Sequence, residues 1–137
     1  MGTYTQVCGV LNVSSIGRFD PTVLISKVSK ILDEACEKAT DYWSPAEVRS
    51  KFSVLDGGST GSVFIALACQ GKIIGYSEDF ENVICELARR IPSLEGKIEW
   101  IIDGEDADMI LIVQDGKTHY SRQEKYRIGF GNEYRES

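Results

Sequence analysis

Hydrophobic residues recur in this chain with two periods, and the alternation between them lays out most of its elements. The opening stretch from Thr3 to Ser14 is rich in Thr, Val and Tyr and nearly free of charge, which predicts a strand. Val7, Gly9, Leu11 and Val13 share one phase of it, Cys8 and Val10 the other. Leu24, Val28, Ile31, Leu32, Ala35 and Cys36 then recur at spacings of three and four, one apolar stripe of a helix over 21–40. Asp20 as N-cap and Pro21 in the first helical position give that helix its start. Ser44-Pro45-Ala46-Glu47 repeats the device as a capping box for one or two turns, and Phe52 to Asp56 follows as a short strand.

Ser62 to Cys69 is almost wholly apolar and reads as a central strand covered on both faces. Gln70-Gly71 is read as a tight turn into a returning strand over 72–76, with Ser77 capping the next helix. Phe80, Val83, Ile84, Leu87, Ala88 and Ile91 form the strongest amphipathic stripe in the chain, ended by Pro92. Glu78, Asp79 and Glu81 are placed in its first turn and Arg89 and Arg90 in its last, as the helix dipole favours. Strands over 97–103, 107–114 and 117–122 complete the order, the last two joined by Asp115-Gly116, a type I′ hairpin signal. Two helices with one apolar stripe each must share a layer. The expected fold is α+β, a two-layer sandwich. Its sheet is mostly antiparallel with both helices on one face: a ferredoxin-like βαββαβ core plus an extra hairpin. Residues 1–123 form one α+β domain and 124–137 a C-terminal tail. Ile- and Val-rich strands exceed the needs of one covered face, so an apolar patch on the other face would mark a partner site.

The 137 residues fit one domain, and their 42% hydrophobic and 26% charged content is ordinary for a globular protein. No apolar run suits a membrane span, and no charged start with an apolar stretch suggests a secretory signal. The net charge of −6 matters more for its location than its size. Residues 78–108 hold ten acids and only three bases (Arg89, Arg90 and Lys97). Such a chain is a poor direct binder of nucleic acid and is suited to a protein partner with a basic surface.

Cys8, Cys36, Cys69 and Cys85 include no CxxC pair, and His119 is the lone histidine, so no metal and no cofactor are expected. Buried, reduced cysteines imply a cytoplasmic protein, with a Cys8–Cys69 bridge between neighbouring strands as the alternative. No Ser-His-Asp or Cys-His arrangement is legible, and no carboxylate pair is singled out, so no catalytic residue is assigned and a non-enzyme is expected. Gly57-Gly58-Ser59-Thr60-Gly61 resembles a phosphate-cradling loop but lacks the lysine and the helix of a P-loop. The cluster from Asp103 to Asp108 has Gln114 where a calcium loop needs its final glutamate.

The opening Met1 to Leu11, with Gly96-Lys-Ile-Glu-Trp-Ile-Ile-Asp-Gly-Glu-Asp-Ala-Asp-Met-Ile-Leu-Ile-Val-Gln-Asp-Gly-Lys117, resembles a group of small uncharacterised phage and actinobacterial proteins. These share a Met-Gly strand start and a late acidic Asp-Gly hairpin. The resemblance covers about a third of the chain and carries no activity. It implies an accessory protein of phage or mobile-element origin, acting in the host cytoplasm.

The expectation is a small acidic binding protein that inhibits a host or competitor protein, such as a nuclease or CRISPR effector. This is the logic of an anti-CRISPR or other anti-defence viral protein, in which carboxylates stand where phosphates would lie. Its partner-binding residues are Glu99, Asp103, Glu105, Asp106 and Asp108, with Trp100 as aromatic anchor. A toxin immunity protein has the same physics. The competing class is a nucleotide or other small-ligand binder, with phosphates held by the 57–61 loop and Arg127 and a base stacked on Tyr126.

Overall fold

The computed structural model describes residues 4–14, 21–58, 61–71, 74–105 and 107–124. Strand β1 (Thr5–Val13) leads into helix α1 (Pro21–Ala39) and the short helix α2 (Pro45–Arg49). Strands β2 (Phe52–Asp56) and β3 (Val63–Gly71), helix α3 (Ile74–Arg90), and strands β4 (Leu94–Ile102), β5 (Ala107–Gln114) and β6 (Lys117–Glu124) follow. Among the described residues the architecture is α+β, with three helices and one six-stranded sheet ordered β2-β3-β1-β4-β5-β6. Every neighbouring pair is antiparallel.

Alternation along the strands decides which face is buried. Val7, Leu11 and Val13 of β1 join Val63, Ile65 and Leu67 of β3, Leu94, Ile98 and Trp100 of β4, and Leu111 and Val113 of β5. The stripe of α1 (Val28, Leu32, Ala35 and Cys36) and that of α3 (Phe80, Val83, Ile84, Leu87 and Ala88) complete this single core. Both helices therefore lie on one face of the sheet. Phe52 packs edge-on against Phe80, with ring centroids 5.8 Å apart. At the surface, Arg90 bonds Glu34 at 2.8 Å, joining α3 to α1, and Arg49 bonds Asp33 at 2.6 Å, joining α2 to α1.

Ser44 is the N-cap of α2, its hydroxyl accepting the Glu47 amide at 3.1 Å. Asp115 and Gly116 have φ of 54° and 74°, the pair of positive values that a type I′ turn demands. Asp20 lies outside the described residues.

Of the returning strand expected over 72–76, residues 74–76 are helical, and 72 and 73 lie outside the described residues. β3 runs on to Gly71 and α3 begins at Ile74, so Ser77 lies inside the helix rather than at its cap. The reason is topological. β1 takes one edge of β3 along its whole length and β2 takes the other over Val63–Leu67, so a strand returning from Gly71 would find only the last few residues of β3 to pair with. The extra hairpin lies instead at β5–β6, beyond β4. The Cys8–Cys69 bridge is also absent. In the β1–β3 register Cys8 faces Ala68 and Cys69 faces Val7, so the two thiols leave opposite faces of the sheet, and all four cysteines are free.

Candidate interaction site

Glu78 and Glu81 of the acidic segment lie in the first half of α3, and Asp103 and Glu105 follow the end of β4. α3 and β4 run in opposite directions, so the first turns of the helix sit beside the last residues of the strand. There a cleft of about 440 Å³ opens between α3, β4, β5 and β6, lined by Glu78, Glu81, Asn82, Trp100, Ile102, Met109 and Tyr120. Its position follows from periodicity. Glu78, Glu81 and Cys85 follow one another at helical spacing on the side of α3 turned to β6. Thr118 and Tyr120 alternate on the face of β6 turned to α3. Cys85 Sγ lies 3.2 Å from Thr118 Oγ1, which fixes the register between helix and strand.

Trp100 and Tyr120 meet edge to face in this cleft, with centroids 6.0 Å apart and planes at 71°. The Tyr120 hydroxyl and the Glu81 carboxylate share this cleft. Burial first, and then the adjoining Glu81 carboxylate, hold the Tyr120 phenol far above its ordinary range. Tyr120 keeps 40% of its surface exposed whereas Trp100 keeps 4%, so the tyrosine is the accessible ring and the tryptophan its backing.

The residues expected to bind a partner do not converge on one surface. Trp100 faces the core and the cleft, while its neighbour Glu99 points to the opposite face of the sheet. Asp103 and Glu105 are exposed on the β4–β5 turn that follows Ile102, and neither lines the cleft. The turn is held by the Asp103 amide, which donates to Tyr4 O at 3.0 Å, and by the Glu105 amide, which donates to Ile102 O at 3.3 Å. Asp106 lies outside the described residues, and Asp108 is half-buried on the face shared with Glu99. Glu78, Glu81 and Tyr120 were missed as site residues. Only the spacing of Glu78 and Glu81 on the α3 stripe, set against the alternation in β6, carried a signal for them.

The glycine loop spends its amides on its own chain. Gly57 N donates to Ser62 O at 2.8 Å, Gly61 N to Gly58 O at 3.2 Å, and Gly58 N to Asp56 Oδ1 at 2.8 Å. Ser59, Thr60, Tyr126 and Arg127 lie outside the described residues. Among the described residues no three His, Cys, Asp or Glu side chains gather as metal ligands, and no helix is long and apolar enough to cross a membrane.

The sheet face away from the helices is mixed. Register carries one row across it as Ser53, Ala66, Val10, Lys97, Ile112 and His119. Val10 is 51% exposed and Leu55 47%, but Lys97 and Glu99 interrupt the apolar surface at its centre. Comparison with protein-family models, with curated proteins and with solved structures finds no match to this chain.

Proposed function

We propose that this is a non-enzymatic binding protein that occupies a basic, nucleic-acid-binding surface of a protein partner and thereby inhibits it. The observation that supports the reading is the pair Glu78 and Glu81 lining a cleft walled by Trp100 and Tyr120, with Asp103 and Glu105 exposed on the turn that follows its Ile102. Carboxylates spaced along such a rim attract a basic groove from a distance, and an aromatic-lined hollow at their centre gives the short-range grip that charge alone lacks. A nuclease or CRISPR effector of a host, in the cytoplasm, is the partner class that fits, and a toxin nuclease met by its immunity protein fits the same chemistry. The core that presents the cleft is proposed to be ferredoxin-like. The first four strands support this by their βαββαβ order and their placement as β2-β3-β1-β4, with β5–β6 as an added hairpin.

Two coupled measurements test the function. The wild-type protein should capture a nucleic-acid-binding protein at low salt, release it as salt rises, and suppress that protein's binding or cleavage of nucleic acid. A variant with Asp103→Lys and Glu105→Lys should fold and lose both effects. Capture and inhibition undiminished in the charge-reversed variant would sink the reading.

A further inference from the structure

We propose that the cleft between α3 and β6 is a binding site for a guanidinium group. The inference deepens the function proposed above, resting on that reading only for the source of the group. A guanidinium is planar, carries five N–H donors in a rigid fork and stacks on aromatic rings. The cleft offers a counterpart to each property. Glu78 and Glu81 bring carboxylates to its rim and Asn82 an amide carbonyl, all acceptors for a charged donor fork. Trp100, Tyr120, Met109 and Ile102 supply apolar and aromatic walls.

The arrangement is built rather than incidental. Tyr120 is held by its edge contact with Trp100, and it lines the cleft beside Glu81. Arg122, next along the same face of β6 as Tyr120, is bonded to Glu124 at 3.0 Å. Arg89 and Arg90 sit at the far end of α3, where they pair with Glu86 and Glu34. A lysine ammonium fits less well, because it is compact and strongly hydrated and gains little from a flat aromatic wall.

The test is a nuclear magnetic resonance titration of the whole chain with N-acetyl-arginine methylamide, run beside the lysine analogue. The arginine probe should move the Trp100 indole and Tyr120 ring signals saturably, and bind several-fold more tightly than the lysine probe. Glu81→Gln and, separately, Glu78→Gln should each weaken it by roughly tenfold, as loss of a charge-assisted hydrogen bond predicts. Glu78→Gln leaves Glu81, the carboxylate that acts on Tyr120, untouched and so separates ligand binding from disturbance of the ring. Equal binding of both probes, or arginine binding unchanged in both variants, would overturn the proposal. An arginine-bearing peptide that binds more tightly than the single residue identifies a polypeptide source, and equal affinity identifies a small molecule. Failure of the arginine probe with salt-sensitive partner capture intact would remove this inference and leave the proposed function standing.

Discussion

Asp79 of α3 reaches across to the segment after α1 and accepts the backbone amide of Trp43 at 3.0 Å. The same carboxylate accepts Asp41 N at 2.8 Å and Tyr42 N at 3.1 Å, so one fully buried side chain satisfies three consecutive amides. A buried carboxylate is tolerable only with such partners, and those amides have no helix or ladder of their own to join. Asp79 thereby sets the path between α1 and α2. Asp79→Asn keeps the shape but weakens every acceptor, and Asp79→Ala leaves three amides unpaired. Denaturant titration should show losses of about 2 kcal/mol for Asn and 3 kcal/mol or more for Ala. A loss below about 0.5 kcal/mol for both would mean that water serves the amides equally well.

Gly96 allows β4 to close against β1. Its φ of 147° is one that L side chains rarely adopt, and a Cβ there would sit 2.4 Å from Val10 O. Across the same ladder a Cβ on Gly9 would sit 2.3 Å from Lys97 O. Neither obstacle is a flexible side chain, so the sheet itself would have to move. Gly96→Ala should therefore cost more than the roughly 1–3 kcal/mol of ordinary overpacking. Gly9→Ala should fall within that range. Thermal melts of the two variants decide it, and a Gly96→Ala protein as stable as wild type would contradict the close approach.

The register of the α3 stripe and the Asp115-Gly116 turn were both legible, because short-range periodicity and turn chemistry determine them alone. The hairpin after Gly71 was not. Gln70-Gly71 has turn chemistry, but whether a strand can follow depends on which edges of β3 are free, and its neighbours β1 and β2 decide that. Asp79 was misplaced for a related reason. Beside Glu78 and Glu81 it looks like dipole chemistry for a helix start, yet α3 begins at Ile74 and turns this one acid inward. For the candidate site, local charge density identified the acidic end, but strand alternation separates Glu99 from Trp100. The partner ring, Tyr120, comes from a strand two steps further along the chain.

Cys36 predicts a pH dependence. Burial among α1 and its neighbours pushes its thiol up to about 11, against an ordinary value of 9.0. The fold favours the neutral thiol, so this contribution is fully present below pH 9.0 and is lost as pH rises through about 11. Stability should fall across that window, and Cys36→Ala should flatten the fall relative to wild type at a constant cost in packing. Native alkylation at neutral pH should also leave Cys36 the slowest of the four thiols, because the thiolate is the reactive form. Parallel pH profiles for the two proteins, or rapid labelling of Cys36 in the folded state, would contradict this.

The acidic turn separates charge from fold. Asp103 and Glu105 are exposed, and only their backbone amides hold the turn. Asp103→Asn with Glu105→Gln should thus change stability by less than about 0.5 kcal/mol, and relief of like-charge repulsion should make any change small and positive. Partner association should behave differently. Charges at a rim act mainly on the encounter rate, so the double variant should associate several-fold more slowly at low salt and lose most of its salt dependence, with dissociation little altered. Phe80→Ala gives the opposite pattern. Its ring is fully buried against Phe52, and its loss should cost about 3–5 kcal/mol by leaving a cavity, so binding would fail only as far as folding fails. Surface plasmon resonance over a salt series, beside a denaturation curve for each variant, distinguishes the two. A folded double variant whose association rate and salt slope match wild type would place the contact elsewhere, on the mixed face that carries Val10, Lys97 and Ile112.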